Sequence, residues 1–221
     1  MNVLDIIGPV MIGPSSSHTA GASRAGLVAR RLLGAEPVWA KITLYGSFAK
    51  TYAGHGADRA IVGGILGFSL DDERIRDSFS HAKQQGLNFL FEISDEDAGH
   101  PNTAKIELED QNGEKICVVV RSVGAGVVNV VEIDGGEVHF TAEYDTTVIF
   151  NNDRAGTIAQ ITAVFARHRI NIAFMRVFRK YEGKDAVMVI ETDQSVSRAV
   201  LDELRAAENI RKVITIPSLG A

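Results

Sequence analysis

Apolar positions along the chain follow two rhythms, one helical and one of strands. An apolar lead-in at Val3, Ile6, Ile7, Val10 and Ile12 runs into a polar loop, after which Ala20, Ala25, Val28, Ala29 and Leu32 recur at three- and four-residue intervals. That spacing predicts a helix over 22–33, with Arg24, Arg30 and Arg31 facing outward and Gly34 as a left-handed cap. Trp39 to Leu44 predicts a strand, Ser47 to Tyr52 a turn, and Ala60, Ile61, Val62, Ile65, Leu66 and Phe68 a glycine-interrupted helix with Asp58 as its cap. An acidic-headed helix from Asp71 to about Gly86 and a strand over 88–93 follow. Alternation then predicts strands over 103–109, 115–123, 127–133 and 137–140, with turns at Asp110-Gln111-Asn112-Gly113 and Asp134-Gly135-Gly136.

A second pattern begins near Tyr144. Strands over 145–150, 170–179, 185–191 and 210–216 alternate with helices around Ile158–Ala166 and Val196–Arg205, and Tyr181-Glu182-Gly183-Lys184 turns between the middle strands. The order β-α-β-β-α-β is that of a ferredoxin-like unit, one sheet covered on one side by two helices. The fold class expected is therefore α/β in the α+β sense: a mixed domain over 1–142 followed by a ferredoxin-like domain over 143–221.

Composition narrows the function. The chain has 221 residues, is 45% apolar, and carries a formal charge of -5 without long runs of one sign, so it shows no nucleic-acid footprint. Cys117, the only cysteine, lies in Ile116-Cys117-Val118-Val119-Val120, which predicts a buried strand and excludes a thiolate metal cluster built from this chain alone. Met1-Asn2-Val3-Leu4-Asp5 has neither a basic stretch nor a long apolar run, so the expectation is a cytoplasmic protein with no membrane partner.

The densest polar chemistry is Gly13-Pro14-Ser15-Ser16-Ser17-His18-Thr19-Ala20-Gly21, at the start of the first helix. One hydroxyl suffices to cap a helix; three serines, a threonine and an imidazole beside first-turn amides suit a small anion such as a carboxylate. No lysine stands where a phosphate loop needs one, so a nucleotide is excluded. Two further histidines lie on loops, His55 in Gly54-His55-Gly56-Ala57-Asp58-Arg59 and His100 in His100-Pro101-Asn102-Thr103. Three imidazoles that titrate near neutrality can act as acid, base or carboxylate donor, and their spacing fits no zinc pattern. Gly124-Ala125-Gly126 opens no helix and is not a dinucleotide fingerprint.

These three motifs together resemble the beta chain of the bacterial iron-sulfur-dependent L-serine dehydratases. The resemblance covers the whole chain, and its last third resembles an ACT regulatory domain. It implies an ammonia-lyase that converts L-serine to pyruvate and ammonia with a [4Fe-4S] cluster held by a separate alpha chain. In that chemistry an open iron polarises the substrate hydroxyl while a base takes the α proton. Carried over, the resemblance implies His18 as catalytic residue and Ser15, Ser16, Ser17, Thr19, His55, Asp58 and Asn102 as substrate-binding residues, with no metal ligand on this chain. The family pattern has a hydroxyl residue where this chain has Ala57.

The ACT resemblance implies an amino-acid site where the first strand of that domain meets its first helix, at Asn152, Asp153, Gly156 and Thr157. It also implies homodimerisation through the ACT or the N-terminal domain. A rival of another class is a non-catalytic amino-acid-sensing protein, because similar domains occur in certain 3-phosphoglycerate dehydrogenases.

Overall fold

A computed structural model describes residues 10–179 and 183–219. The expected lead-in positions Val3, Ile6 and Ile7, the start Met1–Asp5, and Tyr181 and Glu182 of the expected turn lie outside the described residues. The chain divides into two compact units, the first running to Asp134 and the second from Gly135.

The first unit opens with a π-helical turn, Ser16–Ala20, that runs directly into α1 (Gly21–Leu33). β1 (Pro37–Tyr45), α2 (Gly46–His55), α3 (Ala57–Ile65), α4 (Ser78–Gln84), β2 (Asn88–Ser94), β3 (Asn102–Asp110), β4 (Lys115–Gly124) and β5 (Val127–Ile133) follow. Within this unit the sheet order is β2-β1-β3-β4-β5, with β1 parallel to β2 and antiparallel to β3.

Period-two alternation decides which side of this sheet is core. Ala40, Ile42 and Leu44 of β1, Ala104, Ile106 and Leu108 of β3, and Ile116, Val118 and Val120 of β4 are buried, beneath the buried face of α1 at Ala22, Ala25, Val28, Ala29 and Leu32. Each fully buried Ile, Leu or Val among them contributes about 1.5–3 kcal/mol relative to exposure.

The alternation also corrects two expectations. Cys117 lies out of phase with its apolar neighbours, so it is only half-buried, opposite Glu107, and burial still pushes its thiol up to about 11. Arg24 does not face outward: it is buried, and its Nη1 donates to the Gly126 carbonyl at 3.0 Å. Gly124, Ala125 and Gly126 all have positive φ, a tight β4–β5 turn that aims this carbonyl inward.

Helices α1 and α3 pack backbone to backbone. A Cβ on Gly64 would lie 1.9 Å from the Ser23 carbonyl oxygen, and one on Gly26 would lie 2.2 Å from that of Ile61. The glycines that seemed to interrupt a helix are what lets two helices touch.

Elsewhere the structure shifts boundaries. Ser47 to Tyr52, expected as a turn, is the body of α2; the acidic-headed helix is a 3-10 turn at Glu73–Asp77 followed by α4. Gly34 is the left-handed cap of α1, with φ 81° and its N–H on the Arg30 carbonyl.

The second unit begins with β6 (Gly136–Phe140) and continues with β7 (Asp145–Asn152), α5 (Thr157–Arg167), β8 (Ile172–Arg179), β9 (Asp185–Thr192), α6 (Arg198–Ala206) and β10 (Ile210–Ile216), its four-stranded sheet running in the order β10-β7-β9-β8. Its core joins Ile149, Met188, Ile190 and Val213 of the sheet to Ile161, Val164, Phe165, Val200 and Leu204 of the helices.

Candidate functional site

The π-helical turn sets the site. Its wider winding, common at functional positions, takes the chain from Ser15 to Gly21 with the Ser15 carbonyl accepting from Thr19 N–H at 2.8 Å. Ser15 is the cap: its Oγ accepts from His18 N–H at 3.2 Å. Two contacts pin the turn to its unit. Ser122 Oγ donates to the Ser17 carbonyl at 2.9 Å, and a Cβ on Gly13, whose φ is 133°, would strike the buried Thr19 side chain.

His18 is the hub. Its Nδ1 lies 3.1 Å from Ser17 Oγ and 3.3 Å from Ser15 Oγ, and its Nε2 lies 3.1 Å from Ser47 Oγ. The ring meets Phe48 edge-on at 5.3 Å and His55 edge-on at 5.1 Å between centroids. Burial, and secondarily the His55 ring, hold the imidazole below its usual 6.5, so it is neutral near pH 7.

His55 ends α2, ahead of the left-handed Gly56 at φ 72°, and its carbonyl accepts from Thr19 Oγ1 at 3.4 Å. Among the described residues its exposed ring makes no hydrogen bond. Asp58 is not the cap expected of it: Gly56 takes that position, and Asp58, in the first turn of α3, accepts the Arg59 N–H at 2.8 Å. Burial raises its carboxyl above the ordinary value.

The third motif reaches the same place through backbone. The Pro101 carbonyl accepts from Ser47 N–H at 2.6 Å and Phe48 N–H at 3.3 Å, so the loop from His100 to Asn102 seats the start of α2. Gly46 makes this possible: its φ is 56°, and a Cβ there would lie 2.7 Å from the Pro101 oxygen. Asn102 N–H donates to His100 Nδ1 at 3.2 Å, and its Oδ1 is buried with no partner among the described residues.

The structure thus brings Ser15, Ser17, His18, Thr19 and His55 together and ties the His100–Asn102 loop to them through Ser47 and Phe48. Ser16 and Asp58 make no side-chain hydrogen bond to this group among the described residues. Sequence reasoning missed Ser47 and Phe48, because a strand followed by Gly-Ser reads as a turn. The signal was there in Gly46-Ser47, a flexible residue and a hydroxyl at the start of a helix. A cleft of about 580 Å³ lies against the same loop, but Asp95, Glu96 and Asp97 line it, which disfavours a carboxylate there.

The chain matches the family model for the serine dehydratase beta chain over residues 2–87 and that for the ACT domain over residues 146–209. It is 46% identical over 215 residues to "Probable L-serine dehydratase, beta chain" of Bacillus subtilis (strain 168), covering 97% of both chains. The chain belongs to the L-serine dehydratase beta-chain family. "L-serine dehydratase, beta chain" of Peptoniphilus asaccharolyticus is 36% identical over 208 residues, 94% of both chains. A D-3-phosphoglycerate dehydrogenase of Methanocaldococcus jannaschii is 32% identical over 135 residues, 61% of this chain and 25% of that one.

As a member of this family the chain combines a mixed α/β serine dehydratase beta region with an ACT region. An iron-sulfur cluster does not fit the donors of this chain. No group of three or more His, Cys, Asp or Glu is placed to hold a metal among the described residues, and Cys117 is a lone, half-buried thiol raised to about 11. No helix among the described residues is long and apolar enough to cross a membrane.

In the ACT region, Gly156 at φ 91° precedes α5, whose first amides have no side-chain cap. Asp153 is already engaged: its Oδ2 accepts from Gly183 N–H at 2.9 Å and Arg179 Nη1 at 3.2 Å, which hold its carboxyl below the usual range. Asn152 donates its N–H to the Asn209 carbonyl at 2.9 Å. Thr157 Oγ1 and Asn151 Oδ1, at the two ends of this stretch, are buried without partners among the described residues.

Proposed function

We propose that this chain is the substrate-gripping subunit of an L-serine dehydratase, forming pyruvate and ammonia with an alpha chain that holds the [4Fe-4S] cluster. The observation that carries the reading is the meeting at one imidazole, His18, of the serine-rich turn and α2, with the His100–Asn102 loop seated on the start of that helix. The hydroxyls of Ser15, Ser16 and Ser17 and the first-turn amides would hold the substrate carboxylate. Thr19, buried and bonded to the His55 carbonyl, would keep His55 against that pocket.

His18 is the residue proposed to take the α proton. A neutral ring has the lone pair this needs, although each of its nitrogens now faces a hydroxyl, so substrate would have to displace one. The buried, unpartnered Asn102 Oδ1 would accept from the substrate ammonium, and Asp58 would shape the wall beside His55. Ala57, fully buried where a hydroxyl was expected, contributes backbone alone. The protein is proposed to be cytoplasmic and to form homodimers through the ACT or N-terminal domain, with an amino acid as ACT ligand.

A purely sensing protein is the second reading, supported by the similarity to part of a phosphoglycerate dehydrogenase. Coverage of 97% against 61% favours the first. Anaerobic co-purification with the alpha chain, followed by pyruvate formation from L-serine by each chain alone and by both, tests it. Activity only in the pair is expected; no activity in the pair favours the sensor, and activity from this chain alone overturns the division of labour.

A further inference from the structure

Both nitrogens of His18 face hydroxyls, and counting their hydrogens favours one tautomer over the other. Ser15 Oγ already accepts the His18 amide at 3.2 Å, and it lies 3.4 Å from Ser17 Oγ. If Nδ1 is the lone-pair nitrogen, Ser15 donates to Ser17, Ser17 donates to Nδ1, and every hydrogen on that side finds an acceptor. If Nδ1 carries the proton, four hydrogens crowd two oxygens and one hydroxyl must turn away. The first arrangement leaves a proton on Nε2, and 3.1 Å from it stands Ser47 Oγ as acceptor.

Ser47 is itself fixed from the far side. Its amide donates to the Pro101 carbonyl at 2.6 Å, and the preceding Gly46, which has no Cβ, lets the two backbones come that close. We infer that Ser47 is the positioning residue of the site: its hydroxyl accepts the Nε2 proton of His18, holds the ring edge-on to Phe48 and His55, and keeps Nδ1 as the lone-pair nitrogen among the serine hydroxyls. The His100-Pro101-Asn102 segment acts on His18 through this residue. The inference rests on the proposed role of His18, but the tautomer itself does not.

The test is long-range 15N–1H correlation on the full chain at about pH 8, where a neutral ring is expected. Wild-type His18 should show a protonated Nε2 and an unprotonated Nδ1. Ser47→Ala, which keeps the amide, should mix the two tautomers, and Ser47→Thr should restore the first. In the assembled enzyme Ser47→Ala should lower kcat about tenfold, the worth of one hydrogen bond, with KM for L-serine within about twofold. A protonated Nδ1 in the wild type, or a tautomer indifferent to Ser47→Ala, overturns the inference. A tautomer change with kcat intact would keep Ser47 as the partner of His18 and instead remove His18 from the proposed reaction.

Discussion

Gly46→Ala tests whether the site depends on the backbone seat between α2 and the His100–Asn102 loop. Two costs add. An L residue at φ 56° costs about 1–2 kcal/mol. The new Cβ would lie 2.7 Å from the Pro101 oxygen, 2.8 Å from its Cα and 3.1 Å from its carbonyl carbon, all backbone atoms that no rotamer change can move. Restoring ordinary contact needs a shift of about 0.7 Å, with a further cost of about 1–2 kcal/mol. That shift would stretch the 2.6 Å Ser47–Pro101 bond and carry Ser47 Oγ out of reach of His18 Nε2. A loss of about 2–4 kcal/mol is expected, seen by circular dichroism as a fall in Tm of about 5–10 °C, together with a mixed His18 tautomer. A variant that melts within about 1 °C of wild type with its tautomer unchanged would refute the reasoning.

Three other outcomes follow from the same structure. His18→Ala should sharply lower pyruvate formation in the assembled enzyme with the cluster's absorbance intact, and near-normal turnover would remove His18 from the reaction. Because the folded ring titrates below its unfolded value of 6.5, the unfolded chain binds the extra proton first; the His18 contribution to stability is full above about pH 7.5 and is lost as pH falls through 6.5 toward the lowered folded value. Urea midpoints of wild type and His18→Gln at about pH 7.5 and 5.5 check it, and equal pH slopes would contradict it. Thr157→Val removes a buried hydroxyl that has no partner, so Tm should hold or rise; if that hydroxyl meets the ACT ligand, calorimetry on the full chain should show amino-acid binding weakened about five- to tenfold.

Periodicity alone determined most of the architecture. Alternation with turn residues placed the strands from β3 to β6, because a strand half-covered by helices must alternate. The β-α-β-β-α-β order of the second unit was equally legible, and so was Gly34, since glycine takes a left-handed helix end without Cβ strain. The serine-rich loop stood out because it holds more hydroxyls than a cap can use.

What the linear pattern could not reveal depends on contacts between segments distant in the chain. Arg24 is spaced like a surface residue, yet the Gly126 carbonyl, aimed inward by a turn about a hundred positions later, draws it into the interior. Gly26 and Gly64 look like weak points in two helices until those helices meet backbone to backbone. Cys117 belongs to an apolar run whose phase on the sheet is set by its partner strands. Ser47 gains its significance only when Pro101 seats the start of α2 and leaves the hydroxyl at the imidazole of His18. Local spacing encodes which face of an element is apolar; which polar atom finds which partner is decided by where the elements come to rest.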